Sequence, residues 1–134
     1  MAAITAQHRP SRPFTFLLRA AIVGVTLATA AIHASLGGLL FTLNAIGYAG
    51  FAAALVLPGL LGRARWLVRY ALVGFTTVTI LGWVAFGARF DLAYIDTALE
   101  TALVGLLLIE SWVVDGGPLA VVRRVQRLAA SALR

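Results

Sequence analysis

Six side chains able to handle protons, ions or small polar ligands lie inside runs that otherwise read as hydrocarbon-soluble: His33, Asn44, Tyr48, Thr79, Asp96 and Glu100. Polar groups cost free energy in an apolar medium, so each needs a partner or a task. Their spacing assigns each to a face. Thr26, Thr29 and His33 fall on one helical stripe, Thr76, Thr79 and Trp83 on another, and Asn44/Tyr48 and Asp96/Glu100 are each four residues apart. A carboxyl group is expensive to bury as an ion. Glu100 is therefore expected to be neutral, or to pair with a cationic His33 or with donors from Asn44, Tyr48 and Thr79. The expected pocket is His33, Asn44, Tyr48, Thr79 and Glu100, with Trp83, Arg89, Tyr94 and Asp96 at its rim. Trp83 and Tyr94 also suit an interfacial aromatic belt, and Asp96 an ion pair with Arg89.

Most sharper chemistries fail on residue type or spacing. A bis-histidine haem needs two axial ligands, and the other histidine, His8, lies in the polar N-terminal segment. Zinc on His33, Asp96 and Glu100 has suitable ligand types but no spacing motif. With no cysteine there is neither a disulfide framework nor thiol redox chemistry. No glycine-rich phosphate loop, nucleophile elbow or HExxH sequence occurs. No motif requires a cofactor, and the chain reads as a non-enzyme.

The elements that must hold these residues follow from composition. The 134 residues are 61% hydrophobic and only 12% charged, too apolar for an ordinary soluble domain. Four runs near the roughly 20 residues needed to cross a bilayer fit the chain, at about 16–36, 39–57, 66–86 and 95–114. Residues 1–15 read as a polar tail, and the run that follows exceeds a signal-peptide core, so it is expected to stay as an uncleaved first helix. Gly37 and Gly38 mark a tight turn, Pro58 and Gly59 end the second helix, and Asp115 to Pro118 end the fourth. Small residues Gly24, Ala28, Gly47 and Gly50 are expected to allow close helix approach. The predicted fold is all-α: a four-transmembrane-helix bundle followed by an amphipathic helix over 118–134.

Arginine supplies all 11 basic residues, for a net charge of +6. In the four-span arrangement ten of them (Arg9, Arg12, Arg19, Arg63, Arg65, Arg69, Arg123, Arg124, Arg127 and Arg134) fall on one side, and Arg89 alone on the other. That split predicts a multi-pass protein of the cytoplasmic membrane with both termini inside, and the basic charge is a topology signal rather than a sign of nucleic-acid binding. Arg19 is expected to snorkel to the interface, and Glu110 to pair with Arg65 or Arg69. Along 118–134, Arg123, Arg124 and Arg127 alternate with apolar residues at helical spacing, which predicts a helix lying on anionic lipid headgroups, with docking to a partner protein as the alternative.

The segments "IHASLGGLLFTLNAIGY", "RYALVGFTTVTILGW" and "YIDTALETALVGLLLIE" together resemble an uncharacterised family of small four-helix bacterial integral membrane proteins. The resemblance spans about 32–110 and implies a stand-alone bundle but no activity. Function stays open between two classes. One is a pocket on the outward side of the membrane that binds a small ligand, a proton or an ion. The other is a structural or accessory subunit of a homo-oligomer or larger membrane complex, with the same residues serving as hydrogen bonds between helices.

Overall fold

The structure is a computed structural model and describes residues 11–132. His8, Arg9 and Arg134 of the sequence analysis lie outside these residues. Six helices and no strands make up the described chain: α1 (Arg12–Leu36), α2 (Leu39–Val56), α3 (Leu60–Arg63), α4 (Arg65–Phe86), α5 (Asp91–Asp115) and α6 (Pro118–Ala132). Helices α1, α2, α4 and α5 are long and apolar enough to cross a membrane.

The expected spans lie within these four helices, apart from Leu57, which caps α2. α1 starts at Arg12, inside the segment read as tail, because Pro13 in its first turn is already set to a helical φ and needs no amide partner. α5 likewise begins at Asp91, an acidic side chain favoured at a helix N-terminus, rather than at residue 95. The short helix α3 forms in what read as a loop.

Tight connections force neighbours to run antiparallel. Gly37 and Gly38 take φ values of 71° and 83°, a region costly for side chains with a Cβ, and so fold α2 back onto α1 within two residues. α1 packs on α2 and α5, α4 packs on α2 and α5, and α6 rests on α5. The bundle is thus a closed ring in the order α1, α2, α4, α5. Of the small residues singled out, only Gly47 mediates a close approach: a Cβ there would lie 2.6 Å from the Phe75 ring. Gly24 and Gly50 face open space, with nothing within 4 Å of where a methyl group would sit.

Polarity is distributed the opposite way from a water-soluble protein. Phe16, Leu39, Leu40, Val78 and Phe86 are exposed, whereas Thr26, Thr29, His33, Arg69, Thr76, Asp96, Glu100, Glu110 and Ser111 are buried. A hydrocarbon solvent explains both halves of that pattern: apolar side chains lose nothing at the surface, and polar ones must find partners inside. The interior is layered. Ile22, Leu55, Leu72, Leu103 and Leu107, all fully buried, separate a polar layer around Glu110 from a second one around Glu100.

Candidate functional site

The second polar layer lies toward the end of the bundle that carries the Gly37–Gly38 turn. His33 is one turn from the end of α1, and Asp96 and Glu100 are in the first three turns of α5. Because α1 and α5 run antiparallel, the His33 stripe and the Asp96/Glu100 stripe face each other at the same level. The 3.6-residue period places both carboxyl groups of α5 on that single face.

His33 Nδ1 lies 3.2 Å from Asp96 Oδ2 and 3.1 Å from the Thr29 carbonyl oxygen. A carbonyl only accepts, which assigns the hydrogen to Nδ1. Tyr48 donates its hydroxyl hydrogen to Glu100 Oε1 at 2.6 Å. Ligand atoms of His33, Asp96 and Glu100 all lie within 4.8 Å of one another. The imidazole is also enclosed by rings, with its centroid 5.4 Å from Tyr48 and 5.9 Å from Phe41, and Tyr48 meets Phe75 edge-on at 5.0 Å.

Satisfaction in this layer is incomplete. Asp96 Oδ1, Thr29 Oγ1 and Thr76 Oγ1 are buried without a hydrogen-bond partner among the described residues. Buried polar atoms are nearly always paired, and these three are not. Two acids face one imidazole. The layer is one positive charge short if both carboxyl groups are ionised and the imidazole is cationic, and two short if the imidazole is neutral.

Several expected members make other bonds. Asn44 is half-buried and takes no part in these hydrogen bonds. Its register explains this: Tyr48 occupies the inward line of α2 with Ala45, Ala52 and Leu55, while Asn44 shares a flank with Gly47 and Phe51. Thr79 gives its hydroxyl to the Phe75 carbonyl oxygen at 3.1 Å, back along its own helix. Asp96, read as rim and as a partner for Arg89, instead binds His33 in the interior. Arg89 lies 4.1 Å over the Trp83 ring and donates to the Val84 carbonyl oxygen, so the loop after α4 consumes it locally. Trp83 packs edge-on against Tyr94 at 5.2 Å and bonds the Ala88 carbonyl oxygen. Thr29 and Thr76 are the polar side chains of this layer absent from the expected pocket. Their place on the stripes of His33 and Thr79 was a usable signal.

In the other polar layer Glu110 itself is fully paired, although Arg65 Nε nearby is buried without a hydrogen-bond partner among the described residues. Glu110 Oε1 accepts from Arg19 Nε and Nη2 at 3.1 and 2.9 Å, and its Oε2 accepts from Arg69 Nε at 3.0 Å. Arg69 also holds Asp115, and Tyr70 bonds Ser111. Of the two partners expected for Glu110, Arg69 is found bonded to it. Arg19 does not snorkel; it turns inward because a carboxylate is within reach. Arg123, Arg124 and Arg127 are exposed on α6, and Arg124 lies 5.4 Å from the Trp66 ring.

Comparisons of the chain with known protein families, with curated proteins and with solved structures gave no match.

Proposed function

We propose that this chain is a non-enzymatic protein that binds a cation in the buried layer of His33, Tyr48, Asp96 and Glu100. The observation that carries this reading is the donor set: two carboxyl groups and an unpartnered Asp96 oxygen, all buried, face a single imidazole. Intramembrane ionisable groups without a matching counter-ion are costly, and a bound cation removes that cost. The protein would sit in the cytoplasmic membrane of a bacterium with both termini inside, a reading supported by the arginine distribution and by the resemblance to small bacterial four-helix proteins. In that orientation the cation layer faces outward, and α6 lies on cytoplasmic-leaflet lipids.

Thermal unfolding of the full chain in nanodiscs, scanned across alkali, alkaline-earth and transition-metal cations and against Glu100→Gln, tests the reading. A cation-dependent rise in the midpoint that vanishes in Glu100→Gln is expected. Equal midpoints under all conditions would leave the layer as interhelical hydrogen bonding only. Orientation is tested by single cysteines introduced at Ala88 and Ser131, since the chain has none of its own. A membrane-impermeant maleimide should label position 88 in intact cells and position 131 only after lysis.

A second reading, an accessory subunit of a larger membrane assembly, is favoured by an open groove between α1 and α2. Ala30, Ala31, Ala34, Ala45 and Ala49 line it together with Thr42 and Ile46, a mostly small-residue surface against which a further helix could pack. Here Glu100→Gln is tolerated, and cross-linking in membranes yields a discrete larger species.

A further inference from the structure

We infer that the cation is a divalent transition metal of the zinc type, held by His33, Asp96 and Glu100; this rests on the cation reading above and names its ligand class. The donor set carries the choice. One imidazole nitrogen with two carboxylates suits zinc and its neighbours, whereas magnesium and calcium favour all-oxygen shells with several waters. Charge agrees with it: a neutral imidazole and two carboxylates around a divalent ion sum to zero, the state a low-dielectric interior tolerates best. A monovalent ion at the same three ligands leaves one negative charge buried.

Geometry is close to that needed. Two donors on one tetrahedral ion at about 2.1 Å lie about 3.4 Å apart. The 3.2 Å between His33 Nδ1 and Asp96 Oδ2 already matches. The full set lies within 4.8 Å, so its widest pair closes to the tetrahedral spacing by side-chain rotation of up to about 1.4 Å. Asp96 Oδ1, buried and unpartnered in a residue only 6% exposed, is a second observation pointing to a missing partner, and it offers an additional donor. On binding, the imidazole hydrogen moves from Nδ1 to Nε2, leaving the Nδ1 lone pair for the metal. Any proton on the carboxyl groups leaves to water. Tyr48, 2.6 Å from Glu100 Oε1, holds that carboxylate in place from outside the ligand shell. Three protein ligands leave a fourth position for water.

The test uses the full chain in nanodiscs, without an affinity tag, stripped with chelator, and carrying His8→Ala so that His33 is the sole imidazole. Zinc chloride is titrated calorimetrically, with magnesium and calcium chloride as comparisons, and cobalt(II) chloride is followed by its visible absorption. One zinc per chain, at least tenfold weaker in Asp96→Asn and in Glu100→Gln, with a tetrahedral-type cobalt spectrum, is the expected result. Because both variants keep size and hydrogen-bonding capacity, circular dichroism should show them folded; if either unfolds, Tyr48→Phe replaces it, with an expected loss of severalfold. Zinc binding that is absent, or unchanged in the variants, overturns the inference. If zinc fails while another cation stabilises the protein in a Glu100-dependent way, the metal class is wrong and the cation reading survives; if no cation has an effect, both fall.

Discussion

The two polar layers of this bundle use similar acids and differ in what answers them. Around Glu110, guanidinium groups of Arg19 and Arg69 saturate both carboxylate oxygens, and Arg69 reaches on to Asp115. Around Glu100, the donors are one phenol and one imidazole, and an oxygen of Asp96 stays unpartnered. The carboxylate of Glu110 is saturated and that of Asp96 is not. Arginine is always charged and presents donors in a rigid fork, so a carboxylate held by two of them has no further demand. Imidazole is a single switchable donor and cannot neutralise two acids. One layer therefore fastens helices, and the other is the layer proposed to receive a cation.

The sharpest way to break this contrast is Arg69→Met. It leaves Asp115 without its cation and removes one of the guanidinium groups from fully buried Glu110. A loss of about 3–5 kcal/mol is expected in reversible unfolding, the usual cost of breaking a buried pair from one side. Its counterpart in the other layer, Tyr48→Phe, removes one hydrogen bond to a carboxyl group and should cost about 1–3 kcal/mol. If Tyr48→Phe proved the costlier of the two, the assignment of structural and binding layers would be reversed.

Helix approach offers a second, smaller contrast. Gly47→Ala drives a methyl into the Phe75 ring and is expected to cost about 1–3 kcal/mol, whereas Gly50→Ala meets open space and should stay within about 0.5 kcal/mol of the native protein. The same unfolding measurement reads both. Equal effects would mean that α2 and α4 do not meet at Gly47.

The smallest effect is expected at α6. Val122, Val125 and Leu128 are exposed on α6 as its arginines are, the pattern expected of a helix proposed to lie on lipid. Replacing Arg123, Arg124 and Arg127 by Gln removes attraction to anionic headgroups of about 1 kcal/mol per residue. Hydrogen exchange in α6 should be slower in anionic than in zwitterionic nanodiscs for the native chain, and equal in the two for the triple variant.

Much of this architecture was legible in the residues. The length of each apolar run, the glycine pair at 37 and 38, and the clustering of arginine on alternate connections report directly on a hydrocarbon solvent, which acts on each segment independently. Helical period likewise put His33, Tyr48, Asp96 and Glu100 on definite stripes. Asn44 shows where such reasoning stops: four residues from Tyr48, it shares a helix side with it but is only half-buried where Tyr48 is fully buried.

The sequence by itself thus determined the four apolar helices, their antiparallel order and the helical stripe of each polar side chain, because these depend on local composition and on helical period. Tertiary structure alone decided the pairings: Arg19 inward to Glu110 rather than outward to the interface, Asp96 to His33 rather than to Arg89, Thr79 to its own backbone rather than to the layer. Pairing depends on the rotation of each helix about its axis. Interlocking side chains fix that rotation across the bundle, and no single segment encodes it.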